Sequence, residues 1–253
     1  MHIQLAMFIL CTAVIDQLYS IRFFEPPIFK TKVNKYKLRG KLVSPTPPEN
    51  YCRKGLCPEN VKHIACGNPF WGSHCEKPRS GVNVEKIETD IIDVHNNIRE
   101  NMSKVSWQNL PIAKGLPKLK WNQDLSVLAM RITNYCNNAT GMDCVNTPRF
   151  LHVGRSSTDW QIPPQNSNMK PEDFLILAIK YIGGNFLRVN ASFVESFPSD
   201  ASNWDYAFAN IINQRANEVG CGMMTRKPGR LPWYYITCLY DTDVKPGQKL
   251  YDF

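Results

Sequence analysis

The sequence predicts an α+β domain, with helices packed on a small sheet and disulfides stapling the chain. Three observations predict it. Segments of helical apolar period lie between Val84 and Ile212, two strand-like runs follow them, and eight cysteines stand apart from Cys11. Those eight are Cys52, Cys57, Cys66 and Cys75 in a cluster, then Cys136 with Cys144, then Cys221 with Cys238. An even number points to a disulfide framework made in an oxidising compartment.

The chain opens on an apolar run, Ile3 to Ile15, that carries Cys11. A membrane-spanning helix needs roughly 20 apolar residues, so a signal peptide over residues 1–20 is expected instead. Residues 21–50 form an arm in which Arg22, Lys30, Lys32, Lys35, Lys37, Arg39 and Lys41 face only Glu25 and Glu49. The arm carries much of the net charge of +8 and ends in Ser44-Pro-Thr-Pro-Pro-Glu49, the signature of an extended linker. It reads as a solvated tail or as a contact for anionic glycans or a membrane surface. Secretion excludes nucleic acid as its target.

Residues 51–82 hold four cysteines among Pro, Gly, Asn and Lys with no sustained apolar period. Such a segment buries little core and needs staples. His63 and His74 lie near Cys66 and Cys75, yet the cysteines lack the close pairing of a zinc module. A domain over residues 83–253 follows. Ile87, Ile91, Val94, Ile98 and Met102 fall on one face of a first helix. Asn122 caps a second, with Asp124 in its first turn and Leu125, Leu128, Ala129 and Ile132 inward, ending at Cys136. Pro171-Glu172-Asp173 starts a third that Gly183-Gly184 stops. Phe174, Leu175, Ile176, Leu177 and Ile179 make it apolar nearly all round, which predicts deep burial. A shorter fourth helix follows Ser202-Asn203 through Phe208 to Ile212. Val219–Met224 and Trp233–Tyr240 flank the turn-forming Lys227-Pro-Gly229, and an antiparallel hairpin there brings Cys221 opposite Cys238. Asn101, Asn138 and Asn190 begin glycosylation sequons.

These landmarks resemble the CAP superfamily of cysteine-rich secretory proteins, antigen 5 venom allergens and plant pathogenesis-related proteins. The insect antigen 5 branch is the most similar. The resemblance rests on His95-Asn96-Asn97-Ile98-Arg99, then Leu119-x-Trp121-Asn122 followed by Leu125, Ala129 and Cys136. Arg149-Phe150 with Val153-Gly154, Asn190-Ala191-Ser192-Phe193-Val194, Val219-Gly220-Cys221-Gly222 and Thr237-Cys238-x-Tyr240 complete it, with Pro246-Gly247 and Leu250-Tyr251 at the end. It covers residues 51–253 and implies a three-layer α-β-α sandwich. It also implies the disulfides Cys52–Cys66, Cys57–Cys144, Cys75–Cys136 and Cys221–Cys238, a choice that sequence alone does not make.

The family's cleft is lined by two His and two acidic or Gln side chains, which in several members bind a divalent metal. Imidazoles and carboxylates suit such a site because they ligate zinc and exchange protons near neutral pH. Counting from the cysteines, no His lies between Asn137 and Asp143, Arg155 replaces the Glu or Gln, and Gly183, Gly184 or Asn185 replaces the second acid. Ala207 stands where the second His belongs. His152 is displaced from the expected place, and a lone His reads as structural. His95 and Arg99 read as packing or hydrogen-bonding groups. There is no Gly-x-Ser-x-Gly elbow, and beyond the signal peptide that carries Cys11 no thiol is left as a nucleophile if all eight cysteines pair. The expectation is therefore no catalysis, no metal and no cofactor.

The resulting expectation is a secreted binding protein whose partner is an extracellular protein or a cell surface, in saliva, venom or seminal fluid. A sterol or lipid carrier is the alternative, and a metal-dependent hydrolase ranks below it. An ion-channel regulator is not expected, because the cysteine-rich module with that activity in vertebrate relatives would follow Cys238.

Overall fold

The computed structural model describes residues 51–105, 109–164 and 168–253. The expected signal peptide and basic arm lie outside the described residues.

Asn83 accepts a hydrogen bond from the Glu85 amide and starts a 3-10 turn, Val84–Ile87, that runs into helix α1, Glu88–Lys104. Ile91, Val94, His95, Arg99 and Met102 are its buried residues; Ile87 and Ile98 of the predicted stripe are partly buried, and two polar side chains join it. Helix α2, Gln123–Thr133, is capped by Asn122, whose side chain accepts from the Leu125 amide at 2.9 Å. It stops short of Cys136, because Cys136 and Asn137 take left-handed conformations with φ of 50° and 57° and turn the chain sharply.

Helix α3, Pro171–Gly183, carries proline in its first turn. Phe174, Leu175, Ala178, Ile179 and Ile182 are buried, but Leu177 and Tyr181 are 45% and 54% exposed. The expectation of burial all round is corrected there: α3 packs by one face and leaves apolar groups on the other. A short helix α4, Ala191–Glu195, follows. Helix α5, Asn203–Ile212, starts in a capping box formed by Ser202 and Asp205.

The strands are β1, Arg79–Gly81; β2, Lys120–Trp121; β3, Gly154–Gln161; β4, Glu218–Arg226; and β5, Trp233–Tyr240. Their order is β1-β4-β5-β3, with β2 paired in parallel to β4 beside Glu218 and Val219. The β4–β5 hairpin sets Cys221 opposite Cys238, with Cα atoms 4.0 Å apart, and the two are disulfide-bonded.

Successive side chains along a strand point to opposite faces. On one face Val219, Cys221, Met223, Ile236, Cys238 and Tyr240 join a core with residues of α1, α3 and α5. On the other, Leu239 joins Leu125, Leu128, Ala129 and Ile132 of α2. The domain is thus a three-layer α-β-α sandwich. Gly220 and Gly222 explain how closely α2 approaches: a Cβ on either would lie 2.2 Å from the Ser126 nitrogen or 2.3 Å from that of Met130. The remaining disulfides, Cys52–Cys66, Cys57–Cys144 and Cys75–Cys136, tie the cysteine-rich segment together and fasten it to the chain just after α2.

Candidate functional site

His95 sits on the inward face of α1, and its ring is fully buried. Nδ1 lies 2.8 Å from the Ile91 carbonyl oxygen, which can only accept, so Nδ1–H donates. Nε2 is then the acceptor, and the Tyr240 hydroxyl donates to it at 3.0 Å. Burial, with the Arg99 charge adding to it, lowers the His95 pKa to about 4. Burial likewise pushes the Tyr240 hydroxyl far up, so it stays protonated. The pair is a closed, neutral network.

One turn further along α1, Arg99 is only 1% exposed. Its guanidinium donates to the carbonyl oxygens of Pro117 at 2.7 Å, Ile211 at 2.8 Å, Asn213 at 2.9 Å and Ala216 at 3.1 Å. Two of these belong to the carboxy-terminal end of α5, where the helix dipole favours a cation. Burial lowers the Arg99 pKa to about 10. Asn96 donates to the Leu119 carbonyl and accepts from its amide, at 3.1 and 2.8 Å. Trp121 is half-buried and donates to Gln123. In the His-Asn-x-x-Arg pattern Asn96 and Arg99 therefore clamp α1 to distant backbone, and His95 ties it to the Tyr240 side chain of β5.

The positions counted from the cysteines do not converge. Arg155 pairs in register with Leu239, which belongs to the α2 core, so its side chain takes the α2 face. There it donates to the Asn137 carbonyl and the Ser157 hydroxyl, both at 2.8 Å. Burial pulls its pKa down against the opposing pull of Asp143. Ala207 lies in the core on the opposite face, beneath Ser156. Gly183 packs on Ile98 of α1, and Asn185 donates to Asp205 of α5. His152 is exposed.

The other rings are engaged as well. The Ala65 amide donates to Nδ1 of His63, which puts the ring proton on Nε2, 2.8 Å from the Asn146 carbonyl. Burial lowers the His63 pKa to about 4. Nε2 of His74 lies 2.8 Å from the Tyr135 carbonyl. Among the described residues, the one convergence of three His, Cys, Asp or Glu ligand atoms is His95 with Cys221 and Cys238. Both of those thiols are in a disulfide.

Two arrangements were not found by sequence reasoning. Asn137 donates to the Thr158 carbonyl and accepts from Thr237, joining the turn after α2 to β3 and β5. Its left-handed backbone is the only signal, and asparagine tolerates it. Trp160, Tyr181 and Trp204 form a mutually edge-on cluster with centroids 5.2–5.7 Å apart. They come from β3, α3 and α5, too far apart in sequence for a local pattern to show. A separate open cavity of about 420 Å³ lies between α4 and α5, lined in part by Arg188, Asn190, Phe193 and Asp205.

A disulfide-stapled α-β-α sandwich with a His-Asn-x-x-Arg first helix defines a class of extracellular scaffold. The CAP model, described as the cysteine-rich secretory protein family, matches residues 92–240, more than half of the chain, and the chain belongs to that family. It is similar to Tabinhibitin 3 of Tabanus yao, 26% identical over 211 residues that cover 80% of this chain and 78% of the relative. Tabinhibitin 6 of the same organism is 28% identical over 209 residues, with 80% and 78% covered. Tablysin 15, also of Tabanus yao, is 26% identical over 204, with the same coverage. These relatives fit the insect antigen 5 branch. Among solved structures, BmVAL-1 is 18% identical with a TM-score of 0.53, covering 70% of this chain and 87% of that one. NaASP2, solved with Zn2+, is 13% identical with a TM-score of 0.50, covering 66% and 86%. At such identities these structures speak to the fold alone.

Proposed function

We propose that the chain is a secreted, non-enzymatic member of the family that acts by binding a protein or cell-surface partner in an extracellular fluid. Saliva, venom and seminal fluid are the fluids that the family resemblance suggests. One observation carries the reading. Near the family's positions His95, whose ring could ligate a metal or move a proton, is engaged on Tyr240, and the arginines, which do neither, hold the fold: Arg99 on four carbonyls, Arg155 on Asn137. Site geometry, not the shared fold, is what bears on function. Four disulfides suit an oxidising compartment. Similarity to proteins named tabinhibitins agrees with a role exercised by binding. Asn101, Asn138 and Asn190 are all exposed and are the proposed glycan acceptors.

The test uses the full chain from secreting insect cells. Zinc after dialysis should be far below one per chain, and peptide and ester substrates should be hydrolysed no faster than in buffer. Stoichiometric zinc or clear turnover would overturn the reading. An extracellular lipid carrier is the second reading, favoured by the half-exposed rings of Trp160 and Trp204 beside Tyr181. Saturable sterol or fatty-acid binding would move the conclusion to it.

A further inference from the structure

We propose that the face shared by the cysteine-rich segment, α2 and the β4–β5 turn binds a sulfated polysaccharide. The inference rests on the extracellular binding role proposed above and names a partner class for it.

The register of β1 on β4 sets Arg79 directly opposite Arg226. Like charges in that relation destabilise a sheet, and an anion bound across them would relieve the repulsion. Glu76 meets Arg226 at 3.1 Å, but its side chain is 77% exposed, and such a pair contributes little. Arg79 is held in place by the carbonyls of Gly72, at 2.7 Å, and Cys75. Aromatic rings alternate with the cations. The Arg79 guanidinium lies 4.7 Å from the Trp71 ring centroid, and that of Arg131 on α2 lies 5.3 Å from Phe70. Phe70 and Trp71 meet edge to face. Phe70 is 44% exposed, and Nη1 of Arg131 is buried without a hydrogen-bond partner.

Further cations extend the strip. Lys77 is exposed beside Glu76, and the Lys227 amide is bonded to the Pro78 carbonyl, which brings the exposed Lys227 and the β4–β5 turn against the segment. Arg230 is exposed in the same turn.

Guanidiniums grip two oxygens of a carboxylate or of a tetrahedral phosphate- or sulfate-type group through paired donors, while ammonium groups act as point charges. Phe70, exposed beside the half-buried Trp71, offers apolar surface to a sugar ring. The Cys75–Cys136 disulfide fastens the segment to the chain just after α2, which limits its freedom before binding. Two held arginines with exposed lysines and an exposed ring beside them suit a polymer that repeats sulfate on a sugar backbone.

The experiment measures heparin affinity of the full chain by surface plasmon resonance across a salt series. Lys77→Gln/Lys227→Gln/Arg230→Gln should weaken binding at least about tenfold and flatten its salt dependence. Phe70→Ser should weaken it with Tm unchanged. Lys114→Gln/Lys118→Gln, which removes exposed charge on another part of the surface, should leave it intact. Desulfated heparin should not bind. Wild-type affinity in either the triple variant or the Phe70 variant would overturn the proposal. Equal loss in the Lys114/Lys118 control would also overturn it, by showing diffuse attraction to net charge. Stronger binding to phosphatidylserine vesicles than to heparin would assign the strip to a membrane surface instead. Absence of heparin binding would end the proposal and leave the binding role standing, since zinc content and turnover test that role separately.

Discussion

Arg99→Met should destabilise the domain by about 4 kcal/mol, a size reserved for the loss of a buried network. Methionine has a similar reach, so the loss reports hydrogen bonding more than an empty volume. Arg99 donates to four carbonyl oxygens. At about 2 kcal/mol for each bond to a charged donor, the gross contribution is roughly 8 kcal/mol. Against it stands the cost of burying the cation. A pKa lowered from 12.5 to about 10 corresponds to roughly 3–4 kcal/mol of penalty on the charged form. The difference leaves about 4 kcal/mol. Arg99→Lys, with one compact ammonium, should lose about half of that. Urea unfolding with the disulfides intact, at constant m-value, measures both. A loss below about 1 kcal/mol for Arg99→Met would refute the reasoning, because it would mean that the carbonyls find other partners.

Three further outcomes follow from the same structure. His95 is buried neutral with a pKa lowered from 6.5 to about 4, so its contribution is complete above the unfolded value and is lost as pH falls toward about 4. That is on the order of 3 kcal/mol for this residue, and a Tm unchanged between about pH 6.5 and 4.5 would contradict it. Gly220→Ala should cost about 3 kcal/mol, because its Cβ would meet the backbone of α2. Gly183→Ala, which meets only the movable end of Ile98, should cost nearer 1 kcal/mol; equal Tm losses would discount the close approach. Cys221→Ala/Cys238→Ala, closing a span of 17, should lose about 3 kcal/mol, and Cys57→Ala/Cys144→Ala, closing a span of 87, about 4.5 kcal/mol.

The helices with a buried stripe and a polar cap were legible. Asn122 and Ser202 both cap where the sequence places them, and the hairpin register follows from the turn at Lys227-Pro-Gly229. Strand β3 was not legible. Its inward residues include Ser156 and Thr158, and Ser156 packs against Ala207, so the strand shows no apolar alternation. Strands β1 and β2 are too short for a period to register. The third helix misled because apolar content does not say how many faces are covered, and Leu177 and Tyr181 remain exposed. In the candidate site, counting from the cysteines located Arg155 and Ala207 along the chain. It could not say that they take opposite faces, since a single step in a strand reverses the side chain. The Arg79–Arg226 juxtaposition was equally hidden, because it depends on a three-residue strand joining segments far apart in sequence.

The tethering of the cysteine-rich segment has a consequence for survival among extracellular proteases. A backbone cut anywhere between Cys57 and Cys75 separates two pieces that share the Cys57–Cys144 bond. The piece beginning after the cut still holds Cys75 on Cys136. A nicked molecule therefore stays one particle, and the ring-and-cation strip keeps its anchor after the chain that built it has been broken.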